Sequence, residues 1–258
     1  MSRSAAIEAF LRSGVAPPEW EAWRGDAEAG QRMVRQVLQR ILVHRASGAP
    51  LGRRDAPEGA GEQLVRRASA MLDGLLSPEE AAQLKRQLPG MVRVVTVDGF
   101  SDQVRELSVD DAWCLANIVL EDMGAPPLSD AAPQLDGLCL ADQVWVPPGA
   151  FSPPTDRVDV LVHEVAHLLH TVSRERLELV GSGPVLEVPP VHHETFAYAC
   201  ELWACRELRP DGAPGDLDVV VQDIFLADAR VNRVVLLELL RSAERAGWSA
   251  LLALAGHA

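Results

Sequence analysis

The sequence predicts a mostly helical α+β protein with a small β-sheet, preceded by a helical N-terminal region. Its richness in Ala, Leu, Arg and Glu favours helices. Apolar residues recur at helical spacing through long stretches, whereas strand-like spacing is confined to two short segments. The chain has 258 residues, of which 48% are hydrophobic and only 5% aromatic. That is enough for one large or two small domains with a core built mainly from Leu, Val and Ala.

Residues 1–88 are predicted to form the helical N-terminal region, which carries no set of catalytic side chains. Four helices are expected from apolar periodicity, at about residues 4–12, 18–44, 62–75 and 78–88. The second is open to a break at Gly25 or Gly30, and a Gly- and Pro-rich connection follows it at 47–61. Ser77-Pro78-Glu79-Glu80 is a strong start signal for the fourth. We expect this region to be a scaffold, with a docking module for a partner or substrate as the alternative.

Residues 89–258 are predicted to form the second region, which contains the small sheet. Apolar segments rich in β-formers at 91–97 and 138–146 predict its strands, and a helix is expected between them at 110–123. Further helices are expected at about residues 160–170, 193–203, 216–229 and 231–246. The connection at 174–191 contains Gly and Pro residues, so we expect an irregular segment that is either a wall of a cleft or a solvated connector.

The most specific motif of the chain is His163-Glu164-Val165-Ala166-His167, inside an apolar helical stretch. Residues i and i+4 of an α-helix project from one face, so the two histidines can reach one metal ion. Glu164 lies beside them, where a carboxylate can take a proton from a metal-bound water. Thr155 and Asp156 are predicted to cap the start of this helix. A pair of hydrogen-bonded core histidines is the alternative interpretation.

A catalytic zinc ion usually takes three protein ligands and a water, so a third ligand is needed. The extended metzincin motif is excluded, because this chain has His170 and Ser173 where that motif has Gly and His. The helix expected to open near His192 or His193 carries Glu194 in its first turn, where the helix dipole favours a carboxylate. Glu194 is therefore the leading candidate for the third ligand, while His170, His192 and His193 remain rival ligands.

His163-Glu164-Val165-Ala166-His167 followed by Glu194-Thr195-Phe196-Ala197 resembles the gluzincin arrangement of zinc metallopeptidases, in which a Glu on a second helix is the third ligand. The resemblance implies a zincin-like metallopeptidase domain at residues 89–258. It also implies one bound Zn²⁺, with Glu164 as the general base. The implied zinc ligands are His163, His167 and Glu194.

The chain also departs from that group of enzymes. Thermolysin-like members carry an Asp four residues after the ligand Glu, where this chain has Tyr198, its only tyrosine. Tyr198 and His193 are both candidates for stabilising the oxyanion of the reaction. Glu201, two turns beyond Glu194, is expected to form a salt bridge. Because no exopeptidase motif is present, the resemblance does not specify a substrate or a cleavage site.

The predicted function is hydrolysis of peptide bonds by a zinc-dependent peptidase, with a peptide or protein as substrate. A zinc-dependent amidase acting on a non-peptide substrate is one alternative, because the motif does not distinguish between the two kinds of amide. A zincin-derived binding or regulatory protein with little turnover, in which the metal is structural, is the other. It ranks lower because the presumed ligands and the presumed base are all present.

The composition argues against several classes of binding partner. The net charge of −13 argues against a nucleic-acid partner. No apolar segment is long enough for a signal peptide or a membrane span, so we expect a soluble cytoplasmic protein without a membrane partner, while export by a route without a classical signal stays open. The four cysteines form no Cys-x-x-Cys pair and are expected to be buried thiols. The sequence carries no signal for an oligomeric state.

Overall fold

The computed structural model of the chain describes residues 3–15, 27–130, 132–153, 158–207, 221–222, 224 and 228–255. Within them the protein is mostly helical with a small three-stranded sheet, as the sequence predicts. The helices are α1 (Arg3–Ser13), α2 (Ala27–Ala46), α3 (Ala60–Leu75), α4 (Pro78–Met91), α5 (Phe100–Gln103), α6 (Val109–Asp122), α7 (Val160–Thr171), α8 (His193–Glu207) and α9 (Arg233–Ala246). The strands are β1 (Val92–Val94), β2 (Leu138–Leu140) and β3 (Gln143–Val146), paired in the order β1-β3-β2.

Most predicted elements are present with shifted ends. The strand expected at 91–97 is shorter than predicted, because its ladder is confined to β1 and one further hydrogen bond from Val95 N to Val146 O, at 2.9 Å. Gly30 lies inside α2 rather than at a break, whereas Gly25 and the rest of the predicted start of that helix lie outside the described residues. Most of the helix expected at 216–229 also lies outside them.

The chain divides into two compact units that are interleaved in sequence. The first comprises residues 1–58, 94–138 and 145–149, and the second comprises 59–93, 139–144 and 150–258. This division does not coincide with the boundary expected at residue 88. The reason is that α3 packs against both α4 and α7, which places the second half of the N-terminal helical region in the same unit as the His-Glu-x-x-His helix.

The first unit is organised around α2, which packs against α5 and α6. Its apolar face, formed by Val34, Leu38 and Leu42, is fully buried. Trp113 of α6 donates from Nε1 to the carbonyl of Leu11, at 3.0 Å, and so ties α1 to the same core. A helix with one apolar stripe gains most of its stability from burying that stripe, which explains this arrangement.

The second unit is a stack of helices in which α7 packs against α3 and α8, and α8 packs against α9. The start of α4 is fixed by a capping box, in which Ser77 Oγ accepts from Glu80 N and Ser77 N donates to the Glu80 carboxylate. A 3-10 helix at Gly247–Leu254 covers α3. There Gly74 is required, since a Cβ at that position would lie 2.3 Å from Cβ of Trp248.

Among the residues that the structure describes, every helix is too short or too polar to cross a bilayer. All four cysteines are free thiols. Cys200 and Cys205 are buried as predicted, whereas Cys114 and Cys139 are half-buried. Burial raises the pKa of Cys139 to about 12, and a contact with Thr171 Oγ1 at 3.4 Å only partly offsets this. The thiol of Cys139 is therefore protonated at neutral pH.

Candidate metal centre

The helix that carries the His-Glu-x-x-His motif is α7, and its start is set by Asp159. Asp159 Oδ1 accepts from Val162 N at 3.2 Å, and its Oδ2 accepts from Arg67 Nε of α3 at 2.7 Å. The predicted cap was placed too early: Thr155 and Asp156 lie outside the described residues, and the cap is Asp159. Only 1% of Asp159 is exposed, so this cap anchors α7 in the core.

The structure brings together one nitrogen or oxygen atom from each of the three predicted ligands. His163 Nε2 lies 3.1 Å from His167 Nε2. Glu194 Oε2 lies 3.7 Å from the His163 nitrogen and 3.4 Å from the His167 nitrogen. Ligand atoms about 2.1 Å from a tetrahedral zinc ion lie about 3.4 Å apart. The three distances between these atoms lie close to that value, so the three residues could hold a metal ion.

His163 is oriented by Glu201 of α8. His163 Nδ1 lies 3.0 Å from Glu201 Oε2, and Glu201 Oε1 accepts from the backbone nitrogen of Asp159 at 2.8 Å. A carboxylate accepts only, so the Nδ1 proton is fixed and Nε2 faces His167 and Glu194, where it has a free lone pair once its own proton is lost. The salt bridge predicted for Glu201 is thus a contact with a candidate metal ligand, the arrangement that usually backs a ligand histidine.

His167 is oriented by a second imidazole. Its Nδ1 lies 3.0 Å from His170 Nε2, and the His170 ring stacks on the His193 ring with centroids 3.7 Å apart. His193 Nε2 in turn donates to the carbonyl of Val188, at 2.9 Å. Burial and the neighbouring imidazoles lower the pKa of His170 to about 3, so His170 is neutral at physiological pH. A neutral His170 can accept a proton from His167 Nδ1, which is the direction that a metal ion on His167 Nε2 would require. Both rival ligands therefore support His167 rather than joining the three converging atoms.

The third candidate ligand, Glu194, has its two oxygens in different surroundings. Oε2 faces the two histidines, whereas Oε1 lies 2.7 Å from Nη1 of Arg230. Glu194 occupies the first turn of α8, where the helix dipole favours its negative charge. Among the described residues, His192 is not part of the converging group. Each of the three candidate ligands thus has its own partner on the side away from the other two.

The charges of the cluster are strongly coupled. Burial lowers the pKa of His163, but the contacts with the carboxylates of Glu194 and Glu201 outweigh it and raise that pKa to about 10. Burial raises the pKa of Glu194, but the contacts with His163 and His167 outweigh it and hold that pKa below its ordinary value. In the metal-free protein, His163 therefore holds a proton that a metal ion must displace.

Glu164 and Tyr198 lie beside the candidate ligands. Only 5% of Glu164 is exposed, and its charge contributes to raising the pKa values of both His163 and Cys139. The Tyr198 ring packs edge-on against the His163 ring, with centroids 4.6 Å apart. Tyr198 is thus a packing neighbour of the His163 ring in the position where thermolysin-like enzymes carry an Asp.

Sequence reasoning predicted which three side chains lie together, but it missed most of the residues that contact them from behind. The spacing of Glu194 and Glu201, seven residues apart on one helix, was the signal for Glu201, because residues two turns apart share a face. Arg230 had no such signal, since it reaches Glu194 from a turn 36 positions further along the chain.

Comparisons of the chain with protein-family models, with curated proteins and with solved structures find no match.

Proposed function

We propose that this chain is a zinc-dependent peptidase with a gluzincin-type site in a zincin-like fold. The observation that carries the proposal is the triangle of Nε2, Nε2 and Oε2 atoms from His163, His167 and Glu194, whose sides of 3.1, 3.4 and 3.7 Å suit one tetrahedral ion. The partner behind each ligand supports the same interpretation. Metal ligands in proteins are usually held in this way.

In the proposed reaction, the ligand residues hold the zinc ion and Glu164 transfers the proton. A zinc ion at this site would polarise the carbonyl of the scissile bond and lower the pKa of a water molecule. Glu164 would accept a proton from the attacking water and pass it to the leaving amine. Glu201 and His170 would keep the two imidazoles in the tautomer that ligation needs.

The proposal is tested by incubating the zinc-loaded protein with a peptide library. The variant is Glu164→Gln, and the matched control is Glu79→Gln, which changes an exposed carboxylate in the first turn of α4. We expect the wild type and the control to cleave peptides equally. Glu164→Gln is expected to lose about 100-fold or more of the activity while retaining its zinc, as for the removal of a general base.

Two outcomes would contradict the proposal. Turnover by Glu164→Gln at the wild-type rate would remove the role of this carboxylate. Failure of the zinc-loaded wild type to cleave any peptide would contradict the peptidase assignment, and a library of non-peptide amides then tests the amidase alternative. Zinc binding without turnover of either library is the result expected for a binding or regulatory protein.

A further inference from the structure

The side of Glu194 that faces away from the histidines is occupied by Arg230. Oε1 of Glu194 lies 2.7 Å from Nη1 of Arg230, whereas Oε2 is the atom that faces His163 and His167. A carboxylate can bind a metal ion through one oxygen or through both. Which of the two occurs here depends on whether Oε1 has a competing partner.

Arg230 is held in place by Asp228. Its Nε lies 2.9 and 3.1 Å from the two oxygens of Asp228, and its Nη2 lies 2.6 Å from Oδ2. The backbone nitrogen of Arg230 also donates to Oδ1, at 2.9 Å. Such a fork fixes the plane of a guanidinium group and therefore the direction of its remaining nitrogen, Nη1. Only 12% of the Asp228 side chain is exposed, so the carboxylate that holds the guanidinium group is itself largely buried.

The turn that carries this pair is attached to the helix of Glu194. The backbone nitrogen of Asn232 donates to Oγ1 of Thr195, at 2.9 Å, and Thr195 is fully buried. Asn232 also caps α9 by accepting from Val235 N at 3.2 Å. The guanidinium group therefore approaches Glu194 from a turn that is hydrogen-bonded to α8 and continues into α9.

We infer that Arg230 is a positioning residue, which engages Oε1 so that Glu194 offers only Oε2 to the metal ion. This inference rests on the proposed zinc site. Hydrolysis needs a ligand position for water in addition to the three protein ligands. A carboxylate bound through both oxygens would crowd that position, so the Asp228–Arg230 pair keeps the site open.

The test uses the zinc-loaded full chain with Arg230→Ala, Arg230→Lys and Asp228→Asn. The control is Arg206→Ala, which removes a partly exposed arginine of α8 that pairs with Glu244 at 2.6 Å. Crystal structures give the distance from zinc to Glu194 Oε1. Because the absorption of cobalt depends on its coordination, spectra of the cobalt-substituted proteins report a change in solution, and kcat and KM are measured separately.

In the wild type and in Arg206→Ala, only Oε2 is expected within ligand distance, about 2.0–2.2 Å. In Arg230→Ala both oxygens are expected to approach the ion, the cobalt spectrum changes, and kcat falls about 10- to 100-fold with little change in KM. Arg230→Lys is expected to recover part of the loss, because an ammonium group supplies the charge without the fork. Asp228→Asn alone is expected to change the coordination and kcat in the same direction as Arg230→Ala. The double variant is expected to behave like Arg230→Ala, because Asp228 acts only through Arg230.

Identical coordination, cobalt spectrum and kcat in the wild type and Arg230→Ala would overturn the inference while leaving the zinc site intact. A wild type that binds neither zinc nor cobalt would overturn the proposed function and this inference together. The two failures are therefore distinguishable by the metal content of the wild type alone.

Discussion

In the second unit, the α3–α4 pair buries apolar side chains, whereas the α7–α8 pair buries two carboxylates among its apolar ones. The apolar side chains of α3 and α4 include Leu64, Leu72 and Leu84, all fully buried. In α7–α8, Glu164 and Glu201 are 5% and 4% exposed. Buried charges destabilise a fold unless they are paired, so the two helix pairs serve different ends. The first pair stabilises the unit, and the second uses part of that stability to hold a cluster of ionisable side chains.

The largest effect is expected where α3 packs against the 3-10 helix at Gly247–Leu254. In Gly74→Ala, the added Cβ would lie 2.3 Å from Trp248 Cβ and 2.5 Å from its Cγ. Overpacking of this kind is expected to lower the free energy of unfolding by about 3 kcal/mol. Gly90→Ala is the matched control in α4, because its Cβ meets nothing within 4 Å; it is expected to raise stability by up to about 1 kcal/mol.

Both variants are measured by urea denaturation of the metal-free protein. Zinc affinity of the folded protein is expected to be unchanged in both, because α3 and α4 provide packing and not ligands. Equal stability of Gly74→Ala and the wild type would show that Trp248 can move aside, and would contradict the tight packing assigned to α3.

The next largest effect is expected in the α7–α8 pair, for Glu201→Gln. Glu201 uses one oxygen for His163 Nδ1 and the other for Asp159 N, so an amide can satisfy only one of the two donors. Zinc affinity is expected to fall about 10- to 100-fold, as for other residues behind a metal ligand. Competition with a chromophoric chelator measures this affinity, and Glu79→Gln is the control. Unchanged affinity would mean that His163 does not depend on Glu201 for its orientation.

The comparison also shows how much of the site could be predicted. The position of α7 and the proximity of its two candidate ligand histidines could be predicted, because an i, i+4 pair in an apolar stretch depends only on helix geometry. The cap at Asp159 was missed because Thr155 and Asp156 have the same capping chemistry in sequence. Only the structure distinguishes them, since Asp159 is the residue that meets Arg67 of α3.

The contacts behind the ligands could not be predicted to the same degree. The stacking of His170 on His193 joins α7 to the start of α8. The approach of Arg230 to Glu194 depends on how the turn before α9 folds against α8. Both contacts arise from tertiary packing, which neither hydrophobic periodicity nor motif spacing encodes. The same reason explains the domain boundary, because nothing local in α3 indicates that it packs against α7.

A third effect concerns the pH dependence of zinc binding by the α7–α8 pair. Because His163 has a pKa of about 10 in the metal-free protein, zinc must displace its proton. Zinc affinity is therefore expected to rise by up to about tenfold per pH unit between pH 7 and 9. Chelator competition at pH 7, 8 and 9 measures the slope. A pH-independent affinity would contradict the protonated state of His163.

The same pKa shifts predict the stability of the metal-free protein. The raised pKa of His163 stabilises the fold fully below 6.5, its ordinary value, and that contribution is lost as the pH rises towards 10. The lowered pKa of Glu194 stabilises the fold above 4.5, its ordinary value, and that contribution is lost as the pH falls below it. The lowered pKa of His170 acts in the opposite direction below 6.5, so the contribution of this pair is measured as the difference in thermal stability between the wild type and His163→Gln. That difference is expected to be greatest between pH 4.5 and 6.5, and a larger one at pH 8 would contradict the assignment.

The smallest effect is expected on the exposed surface of the α3–α4 pair. Lys85 Nζ lies 2.6 Å from Asp73 Oδ2, and 63% of the Asp73 side chain is exposed. An ion pair with one partner in solvent contributes little, so Lys85→Ala is expected to change the free energy of unfolding by less than about 1 kcal/mol. Urea denaturation measures it. A loss as large as that of Gly74→Ala would mean that charge pairing, and not apolar packing, holds α3 to α4.

Zinc content tests the central claim most directly, measured per chain by elemental analysis in the wild type and in Glu194→Ala. If α7 and α8 hold one zinc ion through His163, His167 and Glu194, the wild type contains close to one zinc and the variant clearly less. Equal zinc in both would show that Glu194 is not a ligand. The absence of zinc from the wild type after zinc is added back would contradict the metal site itself.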